Sequence, residues 1–353
     1  MSEKDTFTGA EFTGTKEVSE NLKFDQNRLQ QWMDANIQSS GKILQIEQFN
    51  GGQSNPTYKI TTENKKLVLR RKPPGKLLPS AHAVDREYKV ISALAETNVP
   101  VPETYGLCDD SDVVGTPFFV MDFLEGEVYW DHMLPSASNE ERIKIYQQKN
   151  KVLANLHSVD YAAVGLESYG KPGNYVARQV SRWTTQYLAS ETESIPEMDK
   201  LIEWLPKNIP DDDETSIVHG DFRLDNMIYK NHEVIGVLDW ELSTLGHPIA
   251  DFSYHCLTWR TLPAMQDLKL LKELGIPSEV EYRDMYSENT GKDLSANWEF
   301  YMVFNIFKVA AICQGILGRV RDGTASNKHA EARGMQVFPL SAGAWSIVEA
   351  NFK

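Results

Sequence analysis

Cysteine is scarce in this 353-residue chain: Cys108, Cys256 and Cys313 are the only three. They lie far apart, with neither metal-ligand spacing nor the even-numbered framework that staples a small secreted domain, so reduced thiols packed in a core are expected. Basic charge is short as well, with 36 Lys and Arg against 50 Asp and Glu, a formal net charge of −14. That balance excludes a general electrostatic affinity for nucleic acid or an anionic membrane surface, since both need basic faces. The N-terminus lacks a basic n-region and an apolar h-region, so no secretory signal is expected. The most apolar late run, Val303 to Leu317, is broken by Asn305, Lys308 and Gln314 and reads as a buried core helix, not a membrane span. No internal repeat of solenoid length is present. A cytoplasmic protein without nucleic-acid or membrane partners follows, and its oligomeric state is left open. The 41 % hydrophobic content suffices for a sizeable core, and the length suggests two lobes.

Residues 1–24 are rich in Ser, Thr, Glu, Lys and Gly with little periodicity, and are expected to form a mobile arm. Asp25 then suits the N-cap of a helix carrying Leu29, Trp32 and Met33 on one face. Three β-like runs follow, Leu44 to Phe49, Thr57 to Thr61 and Leu67 to Arg71. A turn of small residues, Gly51-Gly52-Gln53-Ser54-Asn55, joins the first two and lets backbone N–H groups approach phosphate oxygens closely. The pattern Val84, Tyr88, Ile91, Leu94 predicts a helix capped by Ser80 and ended before Pro100. Arg70 on the third strand and Glu87 on this helix form a charged pair suited to aiming a cation at nucleotide phosphates. Runs over Glu103 to Cys108 and Pro117 to Phe123 flank an acidic turn, Asp109 to Asp112. The exit at Asp122-Phe123-Leu124 is the expected lobe boundary, giving a small lobe over 25–124 and a larger one over 125–353. Beyond it, Glu140 to Ser158, Tyr175 to Ser190, Met198 to Leu205, a segment from Pro248 and Trp298 to Arg319 all read as helices. Strands followed by a mostly helical remainder with one β insertion make an α+β fold in two lobes.

The insertion carries the chemistry. In Ser216 to Glu241 an apolar run leads into a polar loop, and two β-rich runs follow, joined at Lys230-Asn231-His232. This presents His219, Asp221, Asn226 and Asp239 on loops at the strand ends. Such a set suits phosphoryl transfer, in which one carboxylate meets a substrate hydroxyl while a second carboxylate and an amide oxygen hold Mg²⁺.

The sequence His219-Gly220-Asp221-Phe222-Arg223-Leu224-Asp225-Asn226, followed after one hairpin by Asp239-Trp240-Glu241, resembles the H-G-D-x-x-x-x-N loop and metal-binding Asp of the aminoglycoside phosphotransferase and choline kinase family. The resemblance implies a bilobal protein-kinase-like fold and an ATP- and Mg²⁺-dependent small-molecule kinase. Asp221 takes the catalytic place, Asn226 and Asp239 the metal places, and residues 51–55 the phosphate-loop place. Arg70 and Glu87 match the cation and its helix carboxylate, although many members have Lys where Arg70 stands. Strand alternation puts Arg70 and Lys72 on one face and Arg71 on the other. Asp122, Phe123 and Leu124 match the hinge that meets adenine, and Asp251 the residue that brace the loop. His219 is expected to brace rather than shuttle protons, and Arg223 to offset charge between Asp221 and an anionic acceptor. Within the family, Val68 to Gly75 and His82 to Tyr88 resemble the group related to kinase-like domains fused to acyl-CoA dehydrogenases.

The acceptor is less determined. A polycationic antibiotic needs carboxylates, which 191–214 offers; Trp183, Tyr187, Trp259 and Trp298 suit a less polar molecule. The resemblance favours a hydroxyacyl-type metabolite as the small-molecule hydroxyl acceptor. Two other classes compete: a catalytically inactive nucleotide-binding pseudokinase, and a metal-dependent hydrolase using His219, Asp221, Asp239 and His247.

Overall fold

The computed structural model describes residues 13–51, 55–75, 82–325 and 329–352. Gly52, Gln53 and Ser54 of the glycine turn, Ser80 and residues 1–12 of the expected arm lie outside the described residues.

The small lobe is built on a six-stranded antiparallel sheet. Its strands are β1 (Thr15–Lys16), β2 (Ile43–Phe49), β3 (Thr57–Thr62), β4 (Lys66–Arg71), β5 (Thr104–Cys108) and β6 (Phe118–Asp122), in the order β1-β2-β3-β4-β6-β5. Successive side chains of a strand face opposite ways, and here both faces are covered. Leu67 and Leu69 of β4, with Phe118 and Val120 of β6, pack against Leu29 and Met33 of the helix Gln26–Asn36. Val68, Phe119 and Met121 turn to the other side, against Val84, Ile91 and Leu94 of the helix Val84–Leu94. The Asp25 carboxylate caps the first helix by accepting from Asn27 N at 2.8 Å. The second begins at Val84 after Ala83, without a side-chain cap, so the cap does not fall at Ser80. Asp109 to Asp112 is more than a turn: Asp110 caps a one-turn helix, Ser111–Val114.

The larger lobe is helical, with a central helix, Trp298–Arg321, packed against Val337–Asn351, Tyr175–Ser190 and Pro248–His255. That helix is long and apolar enough to cross a membrane by composition alone, yet two thirds of its most apolar window is buried inside the protein. Being apolar on nearly all sides, it is enclosed by its neighbours. Two strand pairs sit at the lobe interface: β7 (Ser216–Val218) with β10 (Thr244–Gly246), and the hairpin of β8 (Met227–Lys230) and β9 (Glu233–Val237). The hairpin turns on Asn231 and His232, with φ of 53° and 67°, the left-handed pair that matches strand twist.

Candidate active site

The loop after β7 is held by one buried carboxylate. Asp251, on the helix Pro248–His255, accepts from His219 N through Oδ2 and from Gly220 N through Oδ1, both at 2.9 Å. His157 Nε2 stands 3.2 Å from the same Oδ2, and His157 Nδ1 2.6 Å from the Tyr286 hydroxyl. Burial works to raise the Asp251 carboxyl, but His157 and the donating amides outweigh it and hold it below its usual range. Gly220 has a φ of 82°, and a Cβ there would lie 2.8 Å from Leu242 O, so both conformation and space require glycine.

His219 is fully buried and both ring nitrogens are engaged. Because Leu238 O only accepts, Nε2 at 2.9 Å must donate to it, and Nδ1 accepts from Asp221 N at 3.3 Å. The ring therefore pins the loop to the end of β9 and has no nitrogen left for proton transfer. From the far side, His255 Nδ1 donates to Phe222 O at 2.6 Å while Nε2 faces the Tyr282 hydroxyl at 3.0 Å. Nothing in sequence spacing marked His255 or Tyr282, since both act on the loop's backbone from helices distant in the chain.

Asp221, 24 % exposed, stands on that loop; its neighbours Asp225 and Asn226 line the interlobe cavity, and Asp221 itself does not. Asn226 Nδ2 donates to Asp221 O at 2.9 Å and lies 3.3 Å from Asp221 Oδ2. Burial raises the Asp221 carboxyl, with Arg223 and His219 opposing and Asp239 and Asp225 adding to the rise. Arg223 Nε is 3.8 Å from Asp221 Oδ1, and its other end is bonded to Asp225. Asp239, at the start of the Asp-Trp-Glu turn, has a left-handed backbone (φ 61°, ψ 63°), a sparsely populated conformation of the kind found at functional sites.

Arg70 ties the lobes together. Its Nε lies 2.9 Å from Glu87 Oε2 and its Nη2 2.9 Å from Asp239 Oδ1. Burial pushes Glu87 up to about 7, with Asp239 and Glu241 reinforcing the rise against the pull of Arg70. Burial also opposes the charge on Arg70, but Glu87 and Asp239 prevail and its pKa is raised. Three carboxylates around one guanidinium leave room for further positive charge. Arg71 points to the opposite face, where it donates to Leu22 O at 2.8 Å, and Lys72 Nζ is 3.3 Å from Asp85. Of the three cations, Arg70 is the one that lines the interlobe cavity.

That cavity, of about 510 Å³, is lined by Gly51, Arg70, Glu87, Asp122, Phe123, Leu124, Asn226 and Asp239 among others. The structure thus brings together most of the residues proposed for nucleotide and metal. Asn55 does not line it: fully buried, it donates to Glu87 Oε1 at 2.8 Å and fixes the carboxylate from behind. His247 is turned away too, 3.4 Å from Asp212 and 3.1 Å from the Tyr301 hydroxyl. Among the described residues no three His, Cys, Asp or Glu side chains converge as a metal site, so the set expected for a hydrolase is not assembled. Asn226 and Asp239 instead offer two hard oxygen donors at the rim of a carboxylate-rich cavity, a set that suits Mg²⁺ sharing its remaining positions with water and phosphate.

A second cavity, about 410 Å³, opens beside the loop at Phe222 and Arg223. Tyr254, Leu257, Ile306, Val309 and Ile312 line it, and its charged side chains are Arg223 and Arg333; burial disfavours charge on His132 and His255, which also line it. Among the described lining residues there is no carboxylate.

A small β-sheet lobe over a helical lobe, with an Asp–Asn loop and a metal-type Asp between them, defines a kinase-like phosphotransferase that acts on small molecules. Residues 45–285 match the phosphotransferase enzyme family, and the chain belongs to it. It is 44 % identical over 342 residues to mouse acyl-CoA dehydrogenase family member 10, covering 94 % of this chain and 32 % of that protein. With human acyl-CoA dehydrogenase family member 11 it shares 40 % identity over 343 residues, 93 % of this chain and 44 % of the relative. The chain therefore spans less than half the length of these relatives. A crystal structure from Ralstonia eutropha, provisionally named an aminoglycoside phosphotransferase, superposes with a TM-score of 0.86 at 46 % identity, over 93 % of this chain and 99 % of that one. A thermostable mutant of the aminoglycoside phosphotransferase APH(4)-Ia, solved with ADP and hygromycin B, shares the fold at 14 % identity and a TM-score of 0.56, over 92 % and 99 % of the two chains.

Proposed function

We propose that this kinase uses ATP and Mg²⁺ to phosphorylate a hydroxyl of an acyl-type metabolite, and that aminoglycosides are not its acceptors. The observation that carries the choice is the second cavity: its walls are apolar and its charged side chains basic. A polycationic amino sugar bound there would meet like charge and lose hydration without carboxylate partners. A hydroxylated acyl chain with an anionic group would bury its chain against Ile306, Val309 and Ile312 and place its charge near Arg223 or Arg333. The size falls within the range of small-molecule sites, about 300–1,000 Å³. The names of the long relatives agree with acyl chemistry.

In this reading the cavity between the lobes takes the nucleotide, with Arg70 at its phosphates and the hinge 122–124 at its base. Asn226 and Asp239 would hold Mg²⁺, which when bound neutralises charge on the phosphates. The acceptor oxygen attacks the γ-phosphorus, forming the new O–P bond as the bond to the bridging oxygen of ADP breaks; the hydroxyl proton passes to the Asp221 carboxylate. Asp251, His219 and His255 keep that carboxylate in place, so little reorganisation accompanies the reaction.

The test is ADP release with Mg²⁺ from a panel of hydroxyacyl-CoAs, free hydroxy acids, amino sugars, choline and homoserine. Turnover of the hydroxyacyl compounds is expected. Turnover of amino sugars alone would sink the assignment.

A further inference from the structure

The stretch preceding the first helix has a place in the interlobe cavity that its composition did not announce. Thr13, Gly14 and Thr15 line that cavity together with Phe49, Gly51, Thr57 and Phe123. They are held there by a short ladder onto the end of β2: Thr15 pairs with Phe49 and Lys16 with Gln48. Asn50, at the base of the glycine turn, donates from N to Gly14 O at 3.1 Å and from Nδ2 to Thr13 O at 2.8 Å. Thr15 Oγ1 donates to Glu47 Oε1 at 2.8 Å, and Glu47 Oε2 lies 3.8 Å from Lys59 Nζ. Lys59 lines the same cavity and sits 5.1 Å above the Phe123 ring at the hinge. One contact chain therefore joins this segment to the glycine turn at one end and to the hinge at the other.

We infer that residues 13–16 are a nucleotide-binding element, a strap that completes the roof of the cavity over an adenine nucleotide and holds Asn50 at the end of β2. The inference rests on the nucleotide reading given above. The physical reason is local. β2 would otherwise be an edge strand, its backbone unpaired on the side that this segment covers. Fixing Asn50 from outside lowers the ordering cost met when phosphates bind below, so the strap contributes to affinity even where it touches no ligand atom. Gly14 permits the seating: its φ is 78°, and a Cβ there would have only Asn50 Nδ2 nearby, at 3.9 Å, so what the position requires is backbone conformation and not space.

The test uses the full chain with ADP as probe. Hydrogen exchange is followed at residues 13–17 and 48–51 with and without ADP, and ADP affinity is measured by calorimetry for the wild type, Gly14→Val and Asn50→Ala. Gly14→Val forbids the left-handed turn, and Asn50→Ala removes the side-chain bond to Thr13 O. Expected are slower exchange of both segments when ADP is bound, and affinity about tenfold weaker in Gly14→Val, with a smaller loss in Asn50→Ala. Thermal midpoints and the acceptor KM at saturating ATP should stay close to wild type, which separates a nucleotide-site role from a general structural one. Unchanged exchange of 13–17 on ADP binding, or ADP affinity within about twofold of wild type in Gly14→Val, overturns the strap. A wild-type chain that binds no ADP at all overturns the nucleotide reading on which it stands.

Discussion

The two cavities are about equal in size and opposite in character. The one between the lobes is crossed by charge: Arg70 against Glu87 and Asp239, with Asp122, Asp225 and Lys59 on its walls. The one beside the catalytic loop is walled by Ile306, Val309, Ile312 and Leu340 and carries only basic charge. A donor is recognised by its phosphates, which call for fixed charges at fixed spacing, whereas an acyl acceptor is recognised by shape and area. Asp221 lines neither cavity, but its loop borders both, through Asp225 and Asn226 on one side and Phe222 and Arg223 on the other. Its substitution should therefore have the largest effect of any on turnover and a small one on nucleotide affinity. Asp221→Asn keeps the size and removes the proton acceptor, so kcat is expected to fall by roughly 10²–10⁴-fold. ADP affinity by calorimetry should stay within about threefold, and a large loss there would erase the division of labour between the cavities.

Arg70 tests the charged cavity from within. Its removal leaves Glu87, 1 % exposed, without its ion partner, and truncating one member of a buried pair costs about 3–5 kcal/mol. Arg70→Ala is expected to lower the thermal midpoint and to weaken ATP binding together. Arg70→Lys should recover the binding in good part, because a Lys ammonium also serves as a phosphate contact. If Arg70→Lys bound ATP no better than Arg70→Ala, the cation would be serving the Glu87 contact and not the phosphates.

This contrast also decides what could be read from the chain itself. The grouping of residues around the interlobe cavity was legible because they arrive in order on elements that announce themselves. The strand Lys66–Arg71 carries a continuous apolar run ending in two arginines, the helix Val84–Leu94 is amphipathic, and the loop after β7 spaces Asp221 five residues from Asn226. Alternation alone separated Arg70 from Arg71, and the structure puts them on opposite faces. The remainder depends on contacts without a periodic signature. His255 reaches Phe222 O from 33 residues away, and the pairing of β7 with β10 rests on three residues in each strand. The cavity beside the catalytic loop gathers side chains from His132 to Leu340; of these only Arg223 stood out in sequence, and the apolar ones look like ordinary core residues. Trp183, Tyr187, Trp259 and Trp298, which composition offered as acceptor contacts, do not line it, and Tyr187, Trp259 and Trp298 are core.

Near His132 and His255 of the apolar cavity lies a further buried cation. Lys149 is fully buried, its Nζ 4.3 Å from the Tyr146 ring and within 5.6 Å of Trp259 and Tyr282, and burial lowers its pKa to about 7. The nearby histidines His132 and His255 have their pKa values lowered by burial first and by Lys149 second. The sign follows from linkage. Below about pH 7 the lysine is charged in both states; from there to its ordinary value of 10.5 the unfolded chain holds a proton that the folded one lacks. The group's burden on stability is thus greatest at low pH and eases as pH rises through that window. Lys149→Met should stabilise the protein by about 1–4 kcal/mol near pH 6.5, and the gain, followed by thermal denaturation, should shrink toward pH 9.5. A gain independent of pH would mean that the ammonium is already neutral, or already satisfied, throughout.

The smallest expected effect bears most directly on the acceptor. Arg333 stands exposed at the rim of the apolar cavity, on a short helix away from the catalytic loop, and makes none of the contacts that hold Asp221. Its contribution should appear in binding and not in chemistry. For an acceptor with an anionic group, Arg333→Glu replaces attraction by repulsion and should raise the acceptor KM about tenfold at low salt, with kcat and the KM for ATP little changed. The effect should fade as ionic strength rises, because a solvent-exposed pair is screened over about 8–10 Å. An uncharged hydroxylated acceptor of similar length should show no change. If Arg333→Glu instead improved turnover of an amino sugar, like-charge repulsion would be all that separates the two acceptor classes in this cavity. If it changed neither acceptor, the discrimination would lie deeper, at Arg223 and the apolar walls, where shape and not charge meets the substrate.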